Sequence, residues 1–294
     1  MSQSLTQVTD KPLPDRAPSA RDLYAGRKLA EGYPGLDRLA LKKFTATLDA
    51  QADDTPRLER LLARLNRLID LDGARNIVVL GCGPRPQAVK HLLERQFNVI
   101  GVEPVPLFVE SARQYLNDAA HVLEGAAERI PVADASQQVV FCDSVLEHVV
   151  SPTRSLDEMY RVLAPGGIAF ITTTNRHRLS MTGDNGEFLF RFFNWLPPLL
   201  KESFVHHHLH YDPRLANYTQ LPAVHWFTYS ELCGLGREAG FAQFYSLLDL
   251  IDTSDPAVSH SRLKRWIVEK LKFNPWIRSL ALTQRGDTII MLKR

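Results

Sequence analysis

Cysteine is scarce in this chain. Cys82, Cys142 and Cys233 stand far apart among 294 residues. Three scattered cysteines cannot make a disulfide framework, and no CxxC or Cys/His pair at zinc spacing accompanies them. The pattern suits a reducing compartment, so the cytoplasm is the expected location. A dominant charge sign is lacking too. Thirty-five Lys or Arg face 33 Asp or Glu, a formal net charge of +2. That excludes a global basic field for nucleic acid, and it excludes an acidic tail. No apolar run reaches the length of a transmembrane helix. Residues 1–20 hold no apolar core that could serve as a signal peptide. Rich in Ser, Pro and charge, they read as a disordered leader. The remaining composition is that of a globular protein: 45% of residues are hydrophobic and 23% charged, enough to bury a large core.

The stretch from Asn76 to Pro104 is the most informative. The apolar run Ile77 to Leu80 stops at Gly81-Cys82-Gly83. Ala88, Val89, Leu92 and Leu93 then mark one face of a helix, and a second apolar run, Val99 to Val102, ends at Glu103. Strand, glycine turn, helix, strand and acid have the shape of a nucleotide-binding β-α-β unit, and by themselves equally suit a tight strand-to-helix turn in another α/β protein. Its glycines permit a sharp turn and close approach of a ligand. An acid at the end of the second strand can accept hydrogen bonds from both ribose hydroxyls.

The remainder extends this alternation. A helix begins at Thr55-Pro56, with Leu58, Leu61, Leu62, Leu65, Leu68 and Ile69 on its apolar face. Arg57, Arg60, Arg64 and Arg67 take the opposite face and read as solvated. Later come a helix at 106–116, strands at 121–124 and 139–143, and a helix near 155–163 ended by Pro165-Gly166-Gly167. A strand at 168–173 follows, then a helix at 230–239 and strands at 244–248 and 287–292. The expected fold is α/β: a Rossmann-like, doubly wound, mostly parallel sheet. Five segments follow: a leader (1–20), an N-terminal helical segment (21–72), the core (73–174), a helical cap insertion (175–228), and completion of the core (229–294). The last includes a basic helix at 261–273.

GCGP at 81–84, GVEP at 101–104, GAAERIPV at 125–132, DSVLEHVVSP at 143–152 and LAPGG at 163–167 occur in order. With HWFTYSELCGLGREAGF at 225–241, they make the chain resemble the class I S-adenosylmethionine-dependent methyltransferases, in the branch called methyltransferase type 11. The resemblance implies S-adenosyl-L-methionine as cofactor and Gly81, Cys82, Gly83, Glu103, Pro104, Ala126, Ala127 and Asp143 as its binding set. Gly81 and Gly83 would cradle the methionine end, and Glu103 would hold the ribose. By the same resemblance Ala126 would offer the adenine only backbone contact, and Asp143 would face cofactor and substrate. Two positions depart from the pattern. Val79 stands where the family usually has an acid, and Arg85-Pro86 replaces the third glycine of the turn. No metal is expected, because Ser144 occupies a position that is acidic in the metal-binding subfamily.

The chemistry expected is methyl transfer to a small or lipid-like acceptor, with O-methylation favoured; the alternative is a non-catalytic member of the fold. His148 is the candidate general base, and it can equally be a helix-start histidine bonded to backbone. The cluster His206-His207-His208-Leu209-His210 reads as polar surface, substrate contact or ligand set. The aromatic run from Phe188 to Leu200 reads as the cap's core, an acceptor pocket or a membrane patch. The 261–273 helix, with five Lys or Arg against one Glu, suits an ordinary surface or an anionic lipid surface.

Overall fold

The structure is a computed structural model of the chain. It describes residues 45, 55–71, 76–177, 195–197, 199–201, 223, 225–251, 255–285 and 288–294. The leader, residues 21–54 of the expected N-terminal helical segment save residue 45, the Phe188–Phe193 part of the aromatic run and the 206–210 histidines lie outside the described residues, with most of the expected cap.

Seven strands form one sheet: β1 (Asn76–Leu80), β2 (Asn98–Glu103), β3 (Val122–Glu124), β4 (Gln137–Asp143), β5 (Leu163–Thr172), β6 (Gln243–Ser246) and β7 (Thr288–Leu292). Their order is β3-β2-β1-β4-β5-β7-β6. The first five strands run parallel, while β7 is antiparallel to both its neighbours. Parallel strands are covered on both faces, which is why IVVL and VVFC are continuous apolar runs without alternation.

Helix α1 (Thr55–Leu65) and helix α2 (Gln87–Glu94) cover one face. There Leu62, Leu65, Val89 and Leu92 pack with Ile77, Val79, Phe141 and Phe170. Helix α3 (Pro106–Leu116) packs Val109 and Ala112 against Val122. Helix α4 (Pro152–Val162) and helix α5 (Tyr229–Ala239) meet the opposite side chains, Val78, Leu80, Val140 and Ala169. Each such fully buried aliphatic stabilises the fold by about 1.5–3 kcal/mol before entropy is charged against it.

Local chemistry explains where the elements differ from expectation. Helix α4 starts earlier because Ser151 caps it, its side chain accepting from Arg154 N, with Pro152 at the first helical position. The segment Pro165-Gly166-Gly167 lies inside β5, past the helix end at Val162, where the β4 register is irregular. Strand β6 stops at Ser246, because the Asp249 carboxylate accepts from Ser246 N at 2.7 Å and opens helix α6 (Leu247–Leu250). Helix α7 (Pro256–Ser259) and helix α8 (Arg262–Phe273) follow. Helix α9 (Pro275–Arg285) was not anticipated, although Asn274 caps it through Trp276 N at 3.0 Å. The arginine face that starts on α1 and continues past its end to Arg67 is also not merely solvated. Arg64 Nε donates to Asp255 at 2.9 Å and Arg67 donates to the Leu250 carbonyl at 2.7 Å, so the stripe holds the chain segment beyond β6.

Helix α4 also secures the turn at 125–132. Arg161 donates to the Ile130 carbonyl at 2.8 Å and pairs with Glu158, whose Oε2 accepts from Ile130 N at 2.8 Å. The Glu158 side chain is only 3% exposed. Arg161→Ala would leave that carboxylate buried without its cation, and a loss of about 2–3 kcal/mol is expected from urea unfolding. A loss below about 0.5 kcal/mol would show that the pair does not hold the turn.

Candidate functional site

The parallel register aligns the ends of β1 to β4. Leu80 pairs with Val102 on one side and with Cys142 on the other, and Glu103 pairs with Glu124. Gly81-Cys82-Gly83, Glu103-Pro104, Gly125-Ala126-Ala127 and Asp143 therefore emerge along one carboxyl edge of the sheet. In open α/β sheets ligands bind at this edge, where the strand order reverses. Here the reversal lies between β1 and β4.

Gly81 and Gly83 take left-handed φ angles of 59° and 71°. A Cβ on Gly81 would lie 2.4 Å from Val145 Cγ2, so the turn closes against the loop after β4. Arg85 is absent from the described residues with positive φ, so the chain does not need glycine there for backbone reasons. Pro86 precedes α2, which starts without a side-chain cap. Val79 is buried in the apolar layer beneath α1 and α2.

Glu103 is 5% exposed. Its Oε2 accepts from Gly83 N at 3.0 Å and its Oε1 from Val105 N at 3.2 Å. Burial raises its pKa to about 7, and the two backbone donors partly oppose that rise. An ionised carboxylate offers roughly four acceptor sites, so two remain after these bonds. A vicinal diol supplies two donors. In chemical terms the residue fits a ribose.

The other predicted positions divide between edge and core. Pro104 is exposed beside Glu103. Cys82 turns its thiol inward: a Cβ on Gly101 would lie 2.8 Å from its sulfur. Burial, with the Glu103 charge beside it, pushes that thiol well up, so it stays protonated. Ala127 is a core residue. The Ala126 carbonyl accepts from Arg129 N at 3.0 Å and closes a tight turn. Asp143 is exposed at the end of β4, where the Thr172 hydroxyl donates to it and Arg57 lies 3.7 Å away. That ion pair is exposed on both sides and adds little stability. His148 sits half-buried in the turn after β4, its N–H donating to the Val145 carbonyl at 2.9 Å.

Several residues that hold this turn carried no sequence signal strong enough to single them out. Ser144 adopts a left-handed φ of 56°, sparse for a residue with a Cβ, and its N–H donates to the Thr172 carbonyl at 3.1 Å. The buried Glu147 carboxylate accepts from the Thr173 hydroxyl at 2.9 Å. His225, also buried, donates from its backbone to the Glu147 carbonyl at 3.2 Å, and its Nε2 lies 2.9 Å from the Val149 carbonyl. A carbonyl only accepts, so Nε2 carries the proton. Glu128 accepts from Val150 N at 2.7 Å. The Thr172-Thr173-Thr174 run at the end of β5 was the visible hint.

Two cavities open near this edge. One, about 270 Å³, is lined by Asp143, Thr172, Thr288, Arg57, Arg60 and Gln87. The other, about 410 Å³, lies between His177, the start of α5 at Thr228 to Ser230, and Pro275, Arg278 and Leu282 of α9. Among the described residues no group of three or more His, Cys, Asp or Glu is arranged to hold a metal.

A reversed strand order, a glycine turn and an acid at the end of β2 define a nucleotide-type ligand edge on a seven-stranded α/β sheet. Residues 78–171 match the model of the family described as Methyltransferase domain. Over that segment the chain is similar to the class I S-adenosylmethionine-dependent methyltransferases, and the cofactor this supports is S-adenosyl-L-methionine. It is 34% identical over 119 residues to an uncharacterized methyltransferase of Mycobacterium bovis, covering 40% of this chain and 48% of that one. It is 31% identical over 163 residues to an uncharacterized methyltransferase of Mycolicibacterium gilvum, covering 53% and 62%. The match thus spans roughly half to three-fifths of these relatives. The solved structure of a Thermotoga maritima SAM-dependent methyltransferase is 24% identical, covering 65% of this chain and 79% of that one, with a TM-score of 0.40. Phosphoethanolamine N-methyltransferase 2 of Haemonchus contortus, solved with S-adenosyl-L-methionine, is 16% identical, covering 79% and 51%, with a TM-score of 0.45.

Gly81→Ala is expected to cost about 3 kcal/mol, from left-handed strain plus overlap with Val145. Adding Val145→Ala should relieve the overlap alone, so the double variant should unfold at least about 1 kcal/mol later than the single losses sum to. Strict additivity in urea unfolding would mean the turn is not packed on Val145.

Proposed function

We propose that this protein transfers the methyl group of S-adenosylmethionine to a small or lipid-like acceptor, with an oxygen nucleophile favoured. The observation that carries the reading is the buried Glu103 carboxylate beside the Gly81–Gly83 turn, with acceptor capacity left for a diol. The cofactor brings the electrophilic methyl carbon, so the protein's work is to hold, orient and desolvate. Gly81, Cys82 and Gly83 offer backbone to the methionine end, Glu103 and Pro104 flank the ribose, and Ala126 and Ala127 offer backbone to the adenine. Asp143 stands at the end of β4, toward the acceptor. His148 takes the proton of an acceptor hydroxyl, a task its half-exposed place in the turn after β4 suits. The cavity beneath α9 adds apolar lining from Pro275 and Leu282, which favours a lipid-like acceptor. Location in the cytoplasm belongs to the same reading.

A second reading is a non-catalytic binding or scaffold protein. The observation in its favour is that both Glu103 oxygens already serve backbone donors while Val79 offers core where the family has an acid. Turnover of S-adenosylmethionine on any acceptor would dispose of it.

The ionised carboxylate is the form that accepts both ribose hydroxyls. With Glu103 titrating near pH 7 in the free protein, protonation competes with binding as pH falls. Affinity for S-adenosylhomocysteine, measured by calorimetry, should therefore fall roughly tenfold or more from pH 7.5 to 5.5. Glu103→Gln should bind weakly and lose most of this pH dependence. Tight binding by that variant, or none by the parent protein, would sink the assignment.

A further inference from the structure

Helices α8 and α9 form a hairpin that the rest of the fold barely covers, and α8 has no buried residue at all. Leu263, Trp266 and Ile267 are exposed on α8, as are Trp276, Ile277 and Leu280 on α9. Spacings of three and four residues place Leu263, Trp266, Ile267 and Lys270 on one face of α8. At the hairpin's tip, Phe273 and Trp276 are 83% and 85% exposed. Seven of the ten large hydrophobics exposed among the described residues lie between positions 263 and 280. Isolated exposed apolar residues are commonplace, but a cluster of this size with two tryptophans marks an interaction surface.

Charge selects the partner. Residues 262–285 hold seven Lys or Arg and one Glu, although the whole chain has a formal net charge of only +2, so the remainder is net negative. Arg278 and Lys272 turn toward the body, Arg278 pairing with Asp249 and Lys272 lying 3.5 Å from the Asp249 carbonyl. Arg262, Lys264, Arg265 and Lys270 are exposed around the apolar face, with Lys270 Nζ 5.9 Å from the Trp266 ring. Aromatic residues for the headgroup boundary and long basic side chains around them match an anionic bilayer surface.

We infer that the α8–α9 hairpin is a docking surface for an anionic lipid bilayer, entered in its interfacial layer by Phe273, Trp276 and Trp266. No described helix is long and apolar enough to cross a membrane, so the contact is peripheral. The hairpin also borders the cavity lined by Pro275, Arg278, Ser279 and Leu282 of α9 together with His177. One helix thus presents apolar side chains outward and lines a cavity at the sheet's carboxyl edge. A lipid-like acceptor would leave the bilayer there without crossing water. This last step rests on the methyl-transfer reading above; the docking itself does not.

The test is co-sedimentation of the full chain with vesicles of phosphatidylcholine alone or with about one-third phosphatidylglycerol. Binding at least about tenfold stronger to the anionic vesicles is expected, weakening as salt rises. Trp266→Glu/Trp276→Glu should reduce it about tenfold or more, and Lys264→Gln/Arg265→Gln should abolish the preference for anionic lipid. Both sites are on exposed faces, so the fold should survive, and unchanged calorimetric binding of S-adenosylhomocysteine by the variants would verify that. Absent or composition-independent sedimentation overturns the proposal. So does a tryptophan variant that changes oligomeric state in gel filtration while sedimenting as before, because the face would then bind a second copy. Loss of S-adenosylhomocysteine binding in the parent protein, with vesicle binding intact, would instead remove the methyl-transfer reading and leave the docking surface standing.

Discussion

A buried carboxylate joins two strand ends in this protein. Glu103 closes β2 and accepts from Gly83 N in the turn after β1 and from Val105 N just ahead of α3. The two segments meet only because β1 and β2 pair in parallel register. Removing a charge from water is costly, and the rise of its pKa to about 7 is the sign of that cost. The fold tolerates the expense because the carboxylate satisfies backbone donors that would otherwise be buried without partners. The same oxygens are those a ribose would use. On the proposed function, structural and ligand roles would converge on one side chain, coupling the shape of the glycine turn to the proton on Glu103.

The opposite side of the edge is built from longer-range contacts. The turn after β4 presses Val145 against Gly81, and Glu147, Thr173, Glu128 and His225 hold it in place. His225 and Phe227, ahead of α5, bond to this turn and to the end of β5, Phe227 N donating to the Thr174 carbonyl at 3.2 Å. His148 thus sits in a turn whose bonds reach β5, the 125–132 turn and the segment ahead of α5. A side chain so placed is set by the network more than by its own neighbours in sequence.

Polarity is distributed with comparable economy. The sheet is apolar on both faces, the carboxyl edge carries the titratable groups, and the positive charge collects on a hairpin that hardly touches the core. Arg64 on α1 and Arg67 just beyond it, together with Arg278 on α9, bind Asp255, the Leu250 carbonyl and Asp249. The segment between β6 and the hairpin is consequently fastened by charge and hydrogen bonds at several points, and the hairpin is presented outward from a firm base.

Much of this was legible in the chain itself. Continuous apolar runs bounded by glycine, helical spacing between them and an acid after the second run specify a β-α-β unit, because side-chain period and turn chemistry are local properties. The parallel doubly wound sheet and the positions of Gly81, Gly83, Glu103 and Asp143 at strand ends followed from that. Tertiary structure decided what each residue is free to do. Cys82 and Ala127 lie in the binding motifs, yet the Ala127 side chain belongs to the core and that of Cys82 packs against it. Arg64 and Arg67 looked like a solvent face but bind a segment more than 180 residues away. Glu103 could be read as an acid at a strand end, but not as a carboxylate already bound to Gly83 and Val105. Burial and hydrogen-bond partners depend on which distant segments the sheet brings together, and no local spacing encodes that.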